Sequence, residues 1–330
     1  MNPFEYASAQ SLDEAVALLR ERKGRSRVIA GGTDLIPQMK TGVAEPERLV
    51  NLKGISGLDR VEVSPEGLRL GALVSLTEIA SHPGILESHT ALAQGASAAA
   101  SPQIRNAGTL GGNLCQRPRC WYFRNENFHC RKKGGSECFA LEGENKYHAI
   151  FGGDDCRIVH PSDTAPPLVA YEAEATLRSP RGERRVPLAD FFVLPSVDVR
   201  WENILKNDEI LVSVFAPSPP PGTRASYTKI RERASFDFAL ASVAAVLTFE
   251  GDTCTRARIV LGGVAPIPWR CQAAELALEG HALDGTLITR AAEAALEGAA
   301  PLSKNRYKVS LAKGALRRAL AKLSTTPASA

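Results

Sequence analysis

The chain lacks any apolar run long enough to cross a membrane. A transmembrane helix needs roughly 20 consecutive apolar residues. The longest candidate, Phe236 to Phe249, is shorter and contains Asp237, so we predict a buried strand there and no membrane span. The N-terminal segment also lacks the basic and apolar regions of a signal peptide. We therefore expect a cytoplasmic protein, or a periplasmic one that is exported already folded with a partner carrying the signal.

An excess of charge of one sign is also missing. The sequence has 40 Lys and Arg against 36 Asp and Glu, which leaves a net charge of +4. Nucleic-acid-binding proteins usually show a concentrated basic stripe, so this balance argues against that class. With 330 residues, 44% of them hydrophobic and 23% charged, the chain is long enough for two or three globular domains with a sizeable core.

The cysteines lack the even number that a disulfide framework needs. Seven occur, and in an apparently intracellular chain this argues against disulfides. Cys254 and Cys271 stand apart and are expected in the core. The other five fall within the segment of about 114–159, which shows neither helical nor strand periodicity: Cys115, Cys120, Cys130, Cys138 and Cys156. A loop of that length is improbable unless something holds it, so a metal or iron–sulfur centre is indicated.

Hydrophobic periodicity divides the rest of the chain into α/β units. A capping box at Ser11 and Glu14 predicts a helix near the start. The run Ser218 to Gly222 is the best domain boundary. The predicted units are residues 1–55, residues 56–221 with the insertion at about 114–159, residues 222–325, and a disordered tail at 326–330. The fold class is α/β (α+β), with a two-part α/β domain followed by a small C-terminal antiparallel sheet and helices.

Two glycine-rich loops suggest a nucleotide site. In the first, Val28 to Leu35, a strand runs into two glycines and Thr33, so that backbone N–H groups can converge on an anion. Glycine permits the close approach of a phosphate. The third glycine of a Rossmann fingerprint is missing. The second loop, Arg105 to Asn113, has three glycines in five residues. Either loop alone could be an ordinary turn, but the two together favour a nucleotide clamp.

These loops, followed by Ser162 to Pro166, resemble the FAD-binding subunit of the xanthine dehydrogenase and aldehyde oxidoreductase (molybdenum hydroxylase) family. The opening Phe4-Glu5-Tyr6 is similar as well, and the resemblance extends to about Lys322. It implies a PCMH-type FAD-binding domain and an FAD-containing electron-transfer subunit. Its partners would be a large subunit with the molybdenum cofactor and a small subunit with 2Fe-2S clusters.

The resemblance also implies which residues contact FAD. The first loop would wrap the pyrophosphate and the second would form the opposite wall. Asp163 would accept a hydrogen bond from a hydroxyl, Leu211 would touch the flavin, and Lys229 would lie near it. The assigned residues are Val28, Ile29, Ala30, Gly31, Gly32, Thr33, Asp34, Leu35, Ser101, Thr109, Gly111, Gly112, Asn113, Asp163, Leu211 and Lys229. Asp163 could instead cap a helix, Lys229 could be a solvated strand residue, and Leu211 could serve only core packing.

The cysteine insertion resembles that of the flavin subunits of 4-hydroxybenzoyl-CoA reductase and of periplasmic aldehyde oxidoreductases, which carries a 4Fe-4S cluster. The match assigns the ligands to Cys120, Cys130, Cys138 and Cys156 and leaves Cys115 over. A cubane cluster needs four thiolates, but their irregular spacing leaves tetrahedral zinc or free cysteines as alternatives. Basic side chains of the segment would offset the cluster charge: Arg117, Arg119, Arg131, Lys132 and Lys133. The histidines in and beside the segment are expected to be solvated loop residues and not ligands: His129, His148 and His160.

Other classes of function remain open at this level. A stand-alone FAD-dependent oxidase of the same fold would act without partners, although no catalytic base or covalent flavin-attachment histidine is evident. A non-catalytic metal-binding scaffold is a third hypothesis. No catalytic residue is assigned to this chain, and neither the substrate nor the external electron acceptor is indicated by its sequence.

Overall fold

In the computed structural model, which describes residues 1–325, three β-sheets follow one another along the chain. The first is parallel, in the order β1 (Glu5–Ser8), β3 (Arg48–Asn51), β2 (Ser26–Ile29). Helix α1 (Leu12–Glu21) packs on it, and α2 (Leu35–Lys40) follows the first glycine loop. The predicted capping box is confirmed, because Ser11 Oγ accepts a hydrogen bond from Glu14 N at 3.1 Å.

The second sheet is antiparallel, and its strands alternate with helices that bury its inner face. Its order is β4 (Val61–Ser64), β5 (Gly67–Gly71), β8 (Ile210–Pro217), β6 (Glu174–Ser179), β7 (Gly182–Pro187). The accompanying helices are α3 (Leu76–Ser81), α4 (Pro83–Ser88), α5 (Thr90–Ala98), α6 (Pro102–Ala107), α7 (Leu110–Leu114), α9 (Ala165–Ala170) and α10 (Leu188–Phe191). Leu68 and Leu70 of β5 are fully buried in the core that these helices share with the sheet.

The third sheet has two long strands at its centre. β10 (Ala241–Glu250) and β11 (Thr253–Gly262) form an antiparallel hairpin, and β9 (Thr223–Ile230), β12 (Trp269–Arg270) and β13 (His281–Ala282) complete the sheet. Helices α11 (Gln272–Leu278), α12 (Gly285–Ala294) and α13 (Tyr307–Thr325) cover it around a core that includes Cys254 and Cys271, as predicted. The predicted fold class, with a C-terminal antiparallel sheet and helices, is therefore confirmed.

The cysteine segment has little regular structure, as expected. It contains α8 (Trp121–Arg124) and a single 3₁₀ turn at Arg131–Lys133, and otherwise turns and bends. The predicted boundary at Ser218 to Gly222 lies in the connection between β8 and β9. Within residues 1–325, no helix is long and apolar enough to cross a lipid bilayer. The tail predicted at 326–330 lies outside the described residues.

Candidate functional site

A cavity of about 760 Å³ lies where the two glycine-rich loops meet. This is within the usual size of a small-molecule site, roughly 300–1,000 Å³. Most of the residues predicted to contact the cofactor line it: Val28, Ile29, Ala30, Gly31, Gly32, Thr33, Asp34, Leu35, Thr109, Gly111, Gly112, Asn113, Asp163 and Leu211. Ser101 and Lys229 are not on its wall. The fold thus brings the separate sequence motifs to one place.

The first glycine loop presents bare backbone to this cavity. A Cβ atom on Gly31 would lie 1.9 Å from Ala107 O, so only glycine allows the two loops to approach each other this closely. Gly32 has φ +70°, a left-handed conformation that favours glycine. In the described chain, the amides of Gly32 and Thr33 donate to no other group. Two N–H groups are therefore available to an anion in the cavity.

The second loop is held by side chains that the sequence pattern alone did not explain. Thr109 is the N-cap of α7, and its Oγ1 accepts a hydrogen bond from Gly112 N at 3.2 Å. Asn113 Oδ1 accepts from Ser162 Oγ at 2.5 Å and from Thr164 Oγ1 at 2.7 Å. These bonds join the second loop to the Ser-Asp-Thr motif, so that all three motifs form one continuous wall.

Asp163 is buried and paired. Its carboxylate accepts hydrogen bonds from Tyr227 Oη at 2.6 Å and from Lys229 Nζ at 2.7 Å. The side chains of Lys229 and Asp163 are only 3% and 5% exposed, so Lys229 is not a solvated strand residue. Burial raises the pKa of the Asp163 carboxyl, and the Lys229 ammonium opposes that shift. Lys229 therefore affects the cavity only indirectly, by pairing with Asp163 on its wall. Tyr227, which also binds Asp163, was not identified from the sequence.

The structure places Ser101 at the start of a helix and Leu211 in a strand of the second sheet. Ser101 is the N-cap of α6, with its Oγ accepting from Ile104 N at 3.4 Å. Leu211 lies in the second sheet, is 4% exposed, and lines the large cavity. A flavin contact and core packing are both compatible with that position.

Asp34 turns from the first loop towards the cysteine segment. Its carboxylate accepts from Arg117 N at 2.8 Å and from Arg124 Nη2 at 2.7 Å. Arg119 Nη1 lies 2.9 Å from Asp34 Oδ1. The predicted assignment of Asp34 to the pyrophosphate loop did not anticipate this role, because the contacts join residues more than 80 positions apart. Asp34 thus fastens the first glycine loop to the start of the insertion.

The four cysteines predicted as cluster ligands line one small cavity: Cys120, Cys130, Cys138 and Cys156. Cys115, left over in the sequence match, lies on the wall of the large cavity instead. Burial raises the pKa of the Cys120 thiol to about 11, and the backbone N–H groups of Phe123 and Tyr122 oppose that shift.

The thiols are also coupled to one another and to nearby cations. The hydrogen bond with Cys156 lowers the pKa of the Cys138 thiol to about 6, whereas the pKa of Cys156 is raised. The cations that act on these sulfurs are Arg157 at Cys138 and Lys132 at Cys156. Arg157 was not among the basic residues predicted to offset a cluster. The others in that set are engaged elsewhere: Arg117 with Glu202, Arg119 with Asp34, Arg131 with Asp155, and Lys133 with Asn125 O.

Within residues 1–325, no three His, Cys, Asp or Glu side chains converge closely enough to hold a single metal ion. Tetrahedral zinc with Zn–S bonds of about 2.3 Å would need its sulfurs roughly 3.8 Å apart. The four cysteines therefore line one cavity, but among the described residues their side chains do not form a mononuclear metal site.

The expectation that the histidines of the segment are solvated is wrong for two of the three. His148 and His160 are each 4% exposed. His148 lies on the cysteine cavity, with Nε2 3.2 Å from Cys120 Sγ, and burial lowers its pKa to about 4. His160 Nε2 lies 3.3 Å from Leu114 O. The polar composition of the segment suggested exposure, but His148 packs against Trp121 and Tyr122, and His160 packs against Phe192.

Comparisons with known proteins agree with this geometry. Residues 2–219 match the family model described as the FAD binding domain in molybdopterin dehydrogenase, and residues 225–323 match the carbon monoxide dehydrogenase flavoprotein C-terminal domain. The chain is 39% identical over 327 residues to the aldehyde oxidoreductase FAD-binding subunit PaoB of Escherichia coli (strain K12), covering 97% of this chain and 98% of that protein. It is 28% identical to the carbon monoxide dehydrogenase medium chain of Hydrogenophaga pseudoflava, with 96% of each covered.

Solved structures show the same architecture. A carbon monoxide dehydrogenase from Hydrogenophaga pseudoflava that lacks the Mo-pyranopterin moiety of its cofactor superposes with a TM-score of 0.78 at 28% identity, covering 98% of both chains. Quinoline 2-oxidoreductase from Pseudomonas putida 86 gives a TM-score of 0.77 at 26% identity, covering 98% of this chain and 97% of the other.

Proposed function

Because the chain belongs to the family of FAD-binding subunits of multi-subunit molybdenum oxidoreductases, we propose that it relays electrons between 2Fe-2S clusters of a partner, its own FAD and an external acceptor or donor. Substrate oxidation then takes place on another subunit.

The large cavity suits FAD. The amides of Gly32 and Thr33 are free to bind the pyrophosphate, and the contact of Gly31 with Ala107 holds the two loops around it. When bound, the flavin supplies the coupling between one-electron and two-electron carriers. The chain contributes orientation and charge. Asp163 can accept a hydrogen bond at the cavity wall, and Lys229 keeps that carboxylate paired in its buried position.

One relationship carries the relay proposal. Arg119 lines the large cavity, and Cys120, the next residue, lines the cysteine cavity. Adjacent Cα atoms are about 3.8 Å apart, so the two sites share a single stretch of backbone. A redox centre held by the cysteines would therefore be the immediate neighbour of the flavin.

We assign a 4Fe-4S cluster to Cys120, Cys130, Cys138 and Cys156. Support comes from the position of all four cysteines on the wall of one cavity. Four thiolates are the ligand set of a cubane cluster. Tetrahedral zinc, which also takes four thiolates, is the alternative that the iron measurement below distinguishes from a cluster.

The partners follow from the family. A large subunit with the molybdenum cofactor and a small subunit with 2Fe-2S clusters would complete the complex. The two relatives named above differ in what they oxidise, aldehydes in one and carbon monoxide in the other, and we propose that the large subunit determines the substrate.

The test is a comparison of iron and FAD content in the complex purified with its partners. The Cys120→Ala variant should lose about four irons per complex and retain FAD. Cys254→Ser is the matched control, because Cys254 is a core residue whose sulfur donates to Arg256 O at 3.5 Å, a bond that a serine hydroxyl can also make. If the Cys120 variant had the same iron content as the unaltered complex, the assignment of a cluster to these cysteines would be rejected. If the isolated chain oxidised substrate with oxygen, a stand-alone flavoprotein oxidase would replace the relay.

A further inference from the structure

One side chain other than cysteine contacts a cluster sulfur through a ring nitrogen. His148 Nε2 lies 3.2 Å from Cys120 Sγ. The residue is 4% exposed, and its Nδ1 has no hydrogen-bond partner in the described part of the chain. The contact with Cys120 is therefore the polar interaction that the imidazole makes in this buried position.

The position of the ring is set from two sides. On one side it packs against Trp121 and Tyr122, with ring centroids at 5.9 Å and 6.3 Å. On the other, its backbone is fixed by Asn305, which is fully buried and donates Nδ2 to His148 O at 3.0 Å. His148 N also donates to Asn145 O at 3.0 Å. A side chain held in this way keeps one nitrogen directed at the sulfur.

The direction of the hydrogen bond follows from the chemistry of the ligand. A cysteine that ligates iron is a thiolate and has no proton to donate. The shared proton must then lie on Nε2, and Nδ1 is left as an unprotonated acceptor. An unpartnered acceptor in a buried site is more easily tolerated than an unpartnered N–H.

We infer that His148 donates Nε2–H to the Cys120 thiolate and thereby raises the reduction potential of the proposed cluster. Reduction adds negative charge that is shared with the ligand sulfurs, so a donor at a sulfur stabilises the reduced form more than the oxidised one. This donor is a side chain, so substitution can remove it without changing the main chain. His148 is therefore a positioning residue that tunes the cluster beside the flavin. The inference rests on the proposed cluster.

The experiment is a redox titration of the whole complex followed by electron paramagnetic resonance, with the flavin and the partner's 2Fe-2S signals as internal references. His148→Leu removes the donor. His148→Gln keeps an N–H donor at a similar distance from the backbone. We expect the leucine variant to shift the cluster's reduction equilibrium about tenfold towards the oxidised form, which is about 59 mV for one electron. The glutamine variant should recover most of this shift, and the reference signals should not move.

Several results would overturn the inference. One is an unchanged cluster potential in a leucine variant with full iron content. Another is equal loss of iron in both variants, because that would make His148 a structural or ligating residue and not a tuning donor. If the leucine variant does not fold, His148→Phe, which keeps a ring without a donor, takes its place in the comparison. Absence of any cluster signal from the unaltered complex would instead reject the proposed function.

Discussion

Arg124 Nη2 lies 2.7 Å from Asp34 Oδ1, and this pair connects the cysteine segment to the first glycine loop. Both side chains are mostly buried, at 17% and 16% exposure. Arg117 N binds the other oxygen of the same carboxylate at 2.8 Å. The first glycine loop and the cysteine segment are therefore held together through Asp34, and substitution of Asp34 should affect both the large cavity and the cysteine cavity.

Asp34→Asn should weaken both ends of this connection. The amide keeps one acceptor oxygen but loses the charge that pairs with the arginines. Hydrogen bonds to charged groups contribute about 1.5–3 kcal/mol, so we expect a loss of stability of that order and partial loss of FAD. Thermal unfolding and the flavin-to-protein ratio measure the two effects. Glu62→Gln is the control, since Glu62 meets Arg69 only at 4.0 Å on the exposed edge of the second sheet. Full FAD content and unchanged stability in the Asp34 variant would contradict the connection.

The two glycine loops should respond differently to added side chains. A Cβ on Gly31 would collide with Ala107 O, so Gly31→Ala should destabilise the fold. At Gly112, a Cβ would meet only Thr109 Oγ1, at 3.1 Å. Gly112→Leu should therefore leave the chain folded but remove FAD by filling the cavity. Gly285→Ala, which has no neighbour within 4 Å, is the control. A folded Gly112 variant with full yellow colour would mean that the pyrophosphate does not lie against this loop.

Local chemistry explains which features were predictable. The conformation of Gly32 and the capping box at Ser11 depend on neighbouring residues, and both are visible in the sequence pattern. The strands β4 and β7 give weaker signals. β7 is mostly exposed and shows no apolar alternation, whereas in β4 Val61 and Val63 alternate with polar residues over only four positions.

Contacts between distant residues explain what was missed. The bond from Tyr227 to Asp163 joins residues 64 positions apart, and that from Arg117 to Asp34 joins residues 83 apart. Neither leaves a periodic or spaced signature in a single sequence. The polar composition of its segment predicts a solvated His148, but its burial depends on packing against Trp121 and Tyr122 and on the distant Asn305. A signal was nevertheless present, since a histidine within a cluster of cysteines is a candidate contact for their sulfurs.

The pair of Lys229 and Asp163 should contribute strongly to stability. Removing one partner of a buried pair costs about 3–5 kcal/mol, so Lys229→Met should destabilise the chain by that order at pH 7. The folded-state pKa of Asp163 is raised, so ionising it costs stability as the pH rises through that value. Without Lys229 this cost increases. The difference in free energy of unfolding between the parent and the Lys229→Met variant should therefore shrink as the pH falls and the Asp163 carboxyl takes up a proton.

Denaturant unfolding at several pH values measures this difference. The double variant Lys229→Met with Asp163→Asn removes the unpaired charge and should regain part of the loss. Lys146→Met, at an exposed pair with Glu232, is the control and should change stability by less than about 1 kcal/mol. A pH-independent loss in the Lys229 variant would show that packing, and not the charge pair, is responsible.

Lys308 should make stability rise with pH above neutrality. It is fully buried, and its Nζ donates to Gly263 O at 2.7 Å and to Tyr147 O at 2.8 Å. Burial lowers its pKa from 10.5 to about 7. Between those values the unfolded chain binds more protons at this residue than the native chain does. Stability therefore increases with pH, by up to about 1.4 kcal/mol per pH unit.

The Lys308→Met variant should lose this slope. Unfolding by urea at pH 7, 8 and 9 gives the free energy of unfolding for parent and variant, and their difference isolates the lysine because the other groups cancel. We expect the free energy of unfolding of the parent to increase relative to that of the variant as the pH rises. Lys313→Met, on the same helix at a partly exposed position, should keep the parental slope. If the Lys308 variant also kept the parental pH dependence, the buried ammonium of Lys308 would not be the cause of that dependence.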